Sequence, residues 1–314
     1  MPGSTKRLLA AINPSASFGR ARDAGPRAVE LLRAAGHEVR PLVAASWELL
    51  VERAREELAT APDALVVIGG DGMAHLGVNL VAGTATPLAL IPTGTGNDLA
   101  KAHGIPEHSV DATVAGLLDA LEREPVVLDT GLAEWHEDGE PRSRRFAGAV
   151  SCGFDAIVNE RANAMRRPKG ASRYTIAILR ELVALRPIAY RVEHDGGVLE
   201  FDGALVSVAN NRSIGGGMLI APDASMTDGL LDLFVVEALS RTAFLRLYPK
   251  VFRGTHLSDP RVRVIHTARA RVTAPGVVAY ADGERLGPLP VEVSVVPASL
   301  RFLAPRSGGD SAVE

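Results

Sequence analysis

The segment Ala64-Leu65-Val66-Val67-Ile68 is an unbroken apolar run that ends directly in Gly69-Gly70-Asp71-Gly72. Five consecutive apolar residues leave no polar side for water, so they predict a strand buried on both faces. A helix from about Met73 to Val81 follows the glycines. Pro87 to Ile91 repeats the arrangement: a strand, then Pro92-Thr93-Gly94-Thr95-Gly96-Asn97-Asp98, then a helix through Ala102. Leu8 to Ile12, ended by Asn13-Pro14, and Val39 to Val43 supply two more strands. Residues from Arg22 to Ala35 read as a helix stopped by Gly36, and Ser46 caps another through Leu58. Strand, crossover helix and parallel strand in alternation predict a doubly wound α/β domain. In such a sheet ligands sit beyond the carboxyl ends of the strands, where both glycine loops fall.

The pattern changes after Asp129. Short alternating runs appear at Arg145 to Val150, Ile188 to Glu193, Ala204 to Ala209, Leu230 to Val236, Val262 to Ile265, Arg269 to Thr273 and Val291 to Val296. Asp138-Gly139, Asp195-Gly196-Gly197 and Asp282-Gly283-Glu284 are turn signals between some of them. The expected organisation is an α/β domain over 1–129 and an antiparallel β-rich domain over 130–305. Helices are inserted in the latter near 155–185 and 240–253. The Gly-, Ser- and acid-rich tail 306–314 is expected to be disordered.

Composition excludes several classes. A net charge of −3 over 314 residues argues against a broad basic face for nucleic acid. The single cysteine, Cys152, permits no internal disulfide and no Cys-rich metal site, and reads as a small buried hydrophobe. No apolar run reaches the roughly 20 residues that span a bilayer, and Met1 to Arg7 carries no signal-peptide core. A cytoplasmic protein is expected.

The chemistry concentrates in the two loops. Glycine lets the backbone approach an anion, and the following helix N-terminus favours negative charge. Gly69, Gly70, Asp71 and Gly72 are therefore candidate phosphate contacts, with Asp71 able to hold magnesium or orient nucleotide hydroxyls. In the second loop Gly94 gives the same freedom, Thr95 adds a hydroxyl, Asn97 adds donor and acceptor, and Asp98 opens the helix. Each loop alone also reads as an ordinary strand-to-helix turn. A Gly-x-x-x-x-Gly-Lys-Ser/Thr segment is absent, as are the protein-kinase catalytic loop and its Asp-Phe-Gly.

Together with Asn13-Pro14, Gly69-Gly70-Asp71-Gly72 and Pro92-x-Gly-Thr-x-Asn-Asp-Leu-Ala, this chain resembles the diacylglycerol kinase catalytic superfamily, which includes bacterial lipid kinases, sphingosine kinases and ceramide kinases. The likeness runs through Gly153-Phe154-Asp155-Ala156, Asn210, Gly215-Gly216-Gly217, Ala221-Pro222, Ala224, Asp228-Gly229-Leu230-Leu231-Asp232 and Asp282-Gly283-Glu284, and so spans 8–303. It implies an NAD-kinase/diacylglycerol-kinase-like first domain, a β-sandwich second domain, and ATP bound between them. The implied ATP contacts are Asn13, Pro14, Ser15, Ala16, Ser17, Gly70 to Met73 and Thr95. A magnesium ion is implied at Asp228, with main-chain help from Ser225 and Leu230. Glu284, beside Asp282, is the implied general base for the lipid hydroxyl, with Asp71 as rival. The implied partner is a diacylglycerol-like membrane lipid, met through transient peripheral contact with the inner face of the membrane. Exposed edge strands leave room for a homodimer.

This chain departs from the family where Met73, His75 and Leu76 replace the usual Thr and Asn-Glu pair, and where Ser17 stands in place of a frequent glycine. These losses alter the expected nucleotide contacts; His75 reads either as a substitute donor or as an ordinary helix residue. Arg161, Arg166, Arg167, Lys169 and Arg173, before the amphipathic stretch Tyr174 to Leu185, read either as a headgroup-docking cluster or as a solvated surface. The rivals are an NAD kinase, which shares the Gly-Gly-Asp-Gly loop, and a nucleotide- or lipid-binding protein without catalysis.

Overall fold

Alternating apolar strands and helices build the first half of the chain, and antiparallel pairing builds the second. The computed structural model describes residues 4–13, 23–165, 176–177, 180–182, 184 and 186–306. They divide into a first unit of residues 1–128 and 298–314 and a second of 129–297.

In the first unit β1 (Arg7–Ile12), β2 (Glu38–Leu42), β3 (Ala64–Gly69) and β4 (Leu88–Pro92) form a parallel sheet in the order β2-β1-β3-β4. Leu8 pairs with Val39 and Ala64, and Val67 with Leu90. All six positions of β3 are buried because both faces are covered. On one face Leu8, Ala10, Val66 and Ile68 pack with Ala28 and Leu32 of α1 (Ala24–Ala34) and with Val114 and Leu117 of α5 (Val110–Leu121). On the other lies α3 (Asp71–Val81), so close at Gly77 that a Cβ there would come within 2.6 Å of Leu88 and 3.1 Å of Val67. α2 (Trp47–Leu58) starts at Ser46, whose hydroxyl accepts from the Leu49 amide at 3.3 Å as its sequence predicts. The short α4 (Asp98–Ala102) follows β4.

The second unit takes β5 (Val126–Glu137) from residue 129 onward, then β6 (Glu140–Phe146), β7 (Ala149–Ser151), β8 (Ile188–His194), β9 (Gly197–Ala209), β10 (Leu231–Glu237), β11 (Val262–Thr267), β12 (Arg269–Thr273), β13 (Val278–Ala281) and β14 (Glu284–Pro288). β15 (Val291–Leu303) begins here and ends in the first unit. The pairings between these strands are antiparallel, and β9 lies against β7, β8 and β10. Val192, Val206, Val208, Leu231, Leu233, Val272 and Val291 belong to its main core, as does Cys152, which is the small buried hydrophobe expected. α6 (Phe154–Ala164) and α7 (Arg241–Val251) meet through Phe154 and Phe244, whose rings are 4.6 Å apart.

The end of the chain departs from the expected division. The expected second domain runs to residue 305, yet residues 298–305 belong to the first unit, where Phe302 and Leu303 pair in parallel with Leu88 and Ala89 of β4. Periodicity reports that a strand exists, not which sheet receives it. The tail beyond Arg306 lies outside the described residues.

Candidate functional site

The two glycine loops of the first unit are packed against each other. A Cβ on Gly94 would lie 2.5 Å from the Gly70 Cα, and one on Gly96 would collide with the Asp71 carboxylate. These glycines therefore serve loop-on-loop packing, whatever else they approach. Asp71 joins the loops: Oδ2 accepts from the Asn97 amide at 2.9 Å and Oδ1 from the Asp98 amide at 2.8 Å. A carboxylate at the start of α4 suits the helix dipole as well.

Asn97 adopts a left-handed backbone, φ +53°. Its Oδ1 accepts from the Gly94 amide, and its Nδ2 donates to the Gly94 carbonyl and to Glu107 Oε1, both at 2.9 Å. The amide expected to offer itself to a nucleotide thus shapes the loop. Lys101 donates to the Gly96 carbonyl at 2.6 Å and lies 3.6 Å from Glu107. Thr95 is exposed on the outer side. Residues 69–71, 92 and 97 help line a cavity of about 10 Å³, room for roughly one water, so a triphosphate has to lie outside it.

Met73, in place of threonine, is buried and fills the space above Gly69. His75 is buried too, with Nε2 3.3 Å from Asn79 Nδ2, which fits the ordinary helix residue rather than the substitute donor. Of the first loop, Asn13 is described and donates its amide to the Ile68 carbonyl at 3.1 Å; Pro14, Ser15, Ala16 and Ser17 lie outside the described residues.

In the second unit Asp282 and Gly283 have φ of +50° and +84° and close the β13–β14 hairpin, a backbone that Asp-Gly accepts readily. Asp282 Oδ1 accepts from the amides of Gly148 and Ala149 at 2.8 and 3.2 Å, and Oδ2 from Ala147 at 3.1 Å. A Cβ on Gly148 would sit 2.6 Å from that carboxylate. Three main-chain amides engage this carboxylate and use its lone pairs. Glu284 is exposed, and no described residue makes a hydrogen bond or ion pair with its carboxylate.

The same turn is tied to the Asp228 motif. Asn210 donates its amide to the Gly148 carbonyl and its Nδ2 to the carbonyls of Ala147 and Asp129. Asp129 Oδ2 in turn accepts from the Gly229 amide at 2.8 Å. Asp228 is exposed, with Oδ1 accepting from the Leu230 amide at 3.0 Å, and Ser225 Oγ accepts from the Thr227 amide. Burial raises the Asp232 carboxyl above the usual carboxylate range; His266, 3.0 Å away, opposes this, while Asp228 and Asp223 add to it. Hard oxygen donors in this acidic loop fit magnesium. Among the described residues no group of three or more His, Cys, Asp or Glu forms a ligand cluster, so an ion at Asp228 would rely on main-chain oxygen and water.

In the Gly-Phe-Asp-Ala motif, Asp155 accepts from the Ala156 amide and the Ser207 hydroxyl, and burial raises its carboxyl above the usual range. Gly153 has backbone and ring neighbours, Leu205 Cα and Tyr190 Oη, each 2.6 Å from where a Cβ would stand. Arg161 ion-pairs with Glu181, whereas Arg166, Arg167, Lys169 and Arg173 lie outside the described residues. Sequence reasoning missed Glu107, Lys101 and Asp129 as partners of the motifs. Lys101, one turn beyond Asn97, carried the only local signal.

Residues 7–130 match the diacylglycerol kinase catalytic domain family, and residues 148–304 the YegS C-terminal NAD kinase beta sandwich-like domain. A diacylglycerol kinase of Mycobacterium tuberculosis is 38% identical over 93% of this chain and 89% of its own length. One of Bacillus subtilis is 28% identical over 76% of this chain and 77% of its own. Among solved structures, a diacylglycerol kinase from Bacillus anthracis superposes with a TM-score of 0.69 at 19% identity, covering 95% of this chain and 96% of that one. An NAD kinase from Archaeoglobus fulgidus in complex with ATP reaches 0.52 at 14% identity, covering 96% and 94%, a likeness of fold alone. Paired glycine corners in an α/β unit, a β-sandwich unit with the acidic motifs, and family matches across both place this chain in the diacylglycerol kinase family, as an ATP-using kinase of the lipid kinase type.

Proposed function

We propose that the protein transfers the γ-phosphate of Mg-ATP to the hydroxyl of diacylglycerol or a related membrane lipid, giving a phosphatidic acid. The observation that carries this reading is the contrast within one hairpin. Asp282 is committed to three main-chain amides, while Glu284, two residues on, presents an exposed and unengaged carboxylate. A base must be positioned by its surroundings without being consumed by them.

The glycine corners and Thr95 bind the triphosphate from outside the packed loops, with Asn13 to Ser17 as a third contact. Glu284 accepts the proton of the lipid hydroxyl as its oxygen bonds to the γ-phosphorus and the bond to the ADP oxygen breaks. Asp228, with the main chain of Ser225 and Leu230, would hold magnesium, which would supply positive charge among the carboxylates of that loop. Asp71 is the less available candidate, because both its oxygens accept loop amides. The enzyme is cytoplasmic in this reading and visits the inner face of the membrane; no described helix is long and apolar enough to cross one.

The test is radiolabelled ATP with diacylglycerols, monoacylglycerols, sphingoid bases, ceramides and NAD, the lipids in detergent micelles. Phosphate appears on a glycerolipid and not on NAD. Glu284→Gln and Glu284→Ala retain ATP binding and lose about a thousandfold in turnover. Full activity in either variant removes the proposed base.

A further inference from the structure

The segment from Ser240 to Ser258 carries Arg241, Arg246, Lys250 and Arg253 and no acidic residue, in a chain whose net charge is −3. Ser240 caps α7 by accepting from the Ala243 amide. Phe244 and Leu247 are buried beneath the helix, so the opposite side faces outward. That side is not simply polar. Leu245 and Phe252, seven residues apart, are 54% and 46% exposed, and Leu257 in the following 3-10 turn is 37% exposed. Arg246 and Arg253 directly follow Leu245 and Phe252 in the chain and are exposed too, so each of these apolar side chains has an arginine as its neighbour in sequence.

Among the described residues none forms an ion pair with Arg241, Arg246 or Arg253. The nearest acid in sequence, Asp259, is engaged by Arg261 at 2.8 Å and only sensed by Lys250. Exposed leucine and phenylalanine flanked by uncompensated arginines suit one kind of partner well: a surface that is apolar at depth and anionic at its rim. Phosphate oxygens accept the arginine forks, and the acyl boundary takes the apolar side chains. A second copy of the chain fits poorly, because a two-fold interface would set this cationic face against itself.

We propose that the outer face of α7, with Phe252, Arg253 and Leu257, is a docking surface for an anionic lipid bilayer. Its purpose rests on the reading of the protein as a kinase of membrane-borne lipid; its chemistry does not.

The test uses the full chain with sedimenting vesicles of phosphatidylcholine alone or mixed equally with phosphatidylglycerol. The wild type binds the mixed vesicles and not the neutral ones. The pair Arg246→Glu with Arg253→Glu, and separately Leu245→Ser with Phe252→Ser, weaken that binding about tenfold or more. Both double variants keep the thermal midpoint and the kinase activity on diacylglycerol dispersed in detergent. Unchanged vesicle binding in the charge-reversed variant overturns the proposal. So does a wild type that ignores both vesicles, or one whose self-association is what the variants abolish. Charge-dependent vesicle binding by a protein that phosphorylates no lipid supports the surface and removes the kinase reading, so the two fail separately.

Discussion

Asp71 shows how a residue in a catalytic-looking motif earns its place by holding another loop. Its two carboxylate oxygens reach amides 26 and 27 residues away, and Gly96 leaves room for them by lacking a Cβ. Asp71→Asn and Gly96→Ala are thus expected to do the same harm from opposite sides: the second loop shifts, and ATP affinity falls about tenfold with a smaller change in turnover at saturating ATP. Isothermal titration beside steady-state kinetics separates the cases. If Asp71 were the base, its variant alone would lose turnover while Gly96→Ala kept it. Asp282 offers a parallel in the second unit. Asp282→Ala leaves three amides without their acceptor and is expected to cost about 3 kcal/mol in urea unfolding. Glu284→Ala, at an exposed and unengaged position, should cost well under 1 kcal/mol. Equal losses from the two would contradict the division between clamp and base.

α4 is the element on which acid should act. Its N-terminus is held by Asp71, and the residue after its last turn, His103, lies against Phe302 with the rings tilted by 48° and their centroids 4.8 Å apart. His103 Nε2 is buried with no hydrogen-bond partner, and burial lowers its pKa from 6.5 to about 4. Below about 6.5 the unfolded chain takes up this proton while the folded chain refuses it until about 4. The ring's contribution is therefore intact at neutral pH and lost as pH falls through that window, on the order of 3 kcal/mol in all. Between pH 7 and 4.5 the wild type should lose more stability in urea unfolding than His103→Leu; parallel losses would exonerate the ring. Elements were unevenly legible in sequence. The apolar run at 64–68 and the Ser46 cap are local signals, and the structure carries both. α5 is not legible although Ser109 caps it, because Thr113 and Gly116 interrupt its apolar spacing. β13 and β14 are short and straddle a turn that drew attention as chemistry. In the site, the glycine corners were legible because glycine before a helix is a local pattern. The partners of Asp71 and Asp282 were not, since contacts across 26 to 135 positions leave no mark in spacing.

At the scale of the whole chain, the first unit is completed by residues far along the sequence from the rest of it. The backbone leaves it after Leu128, builds the second unit, and returns at Ala298 so that Phe302 and Leu303 pair with β4. Leu300 and Phe302 are fully buried there, which makes the final strand part of the core rather than an appendage. A contact between Leu88 and Phe302 spans most of the chain, so its loop-closure entropy is met only once the intervening residues are ordered. Phe302→Ala should then act as a core deletion, costing about 3–5 kcal/mol, and act on the first unit rather than the second. The chain supplies its own reporters, since its two tryptophans fall one in each unit, Trp47 on α2 and Trp135 on β5. With Trp135→Phe, fluorescence follows the first unit; with Trp47→Phe, it follows the second. Phe302→Ala is expected to shift the Trp47 transition to lower urea by more than the Trp135 transition. Identical shifts would mean that the two units unfold as one cooperative body, and a shift in neither would mean that the returning strand contributes nothing to the sheet it joins.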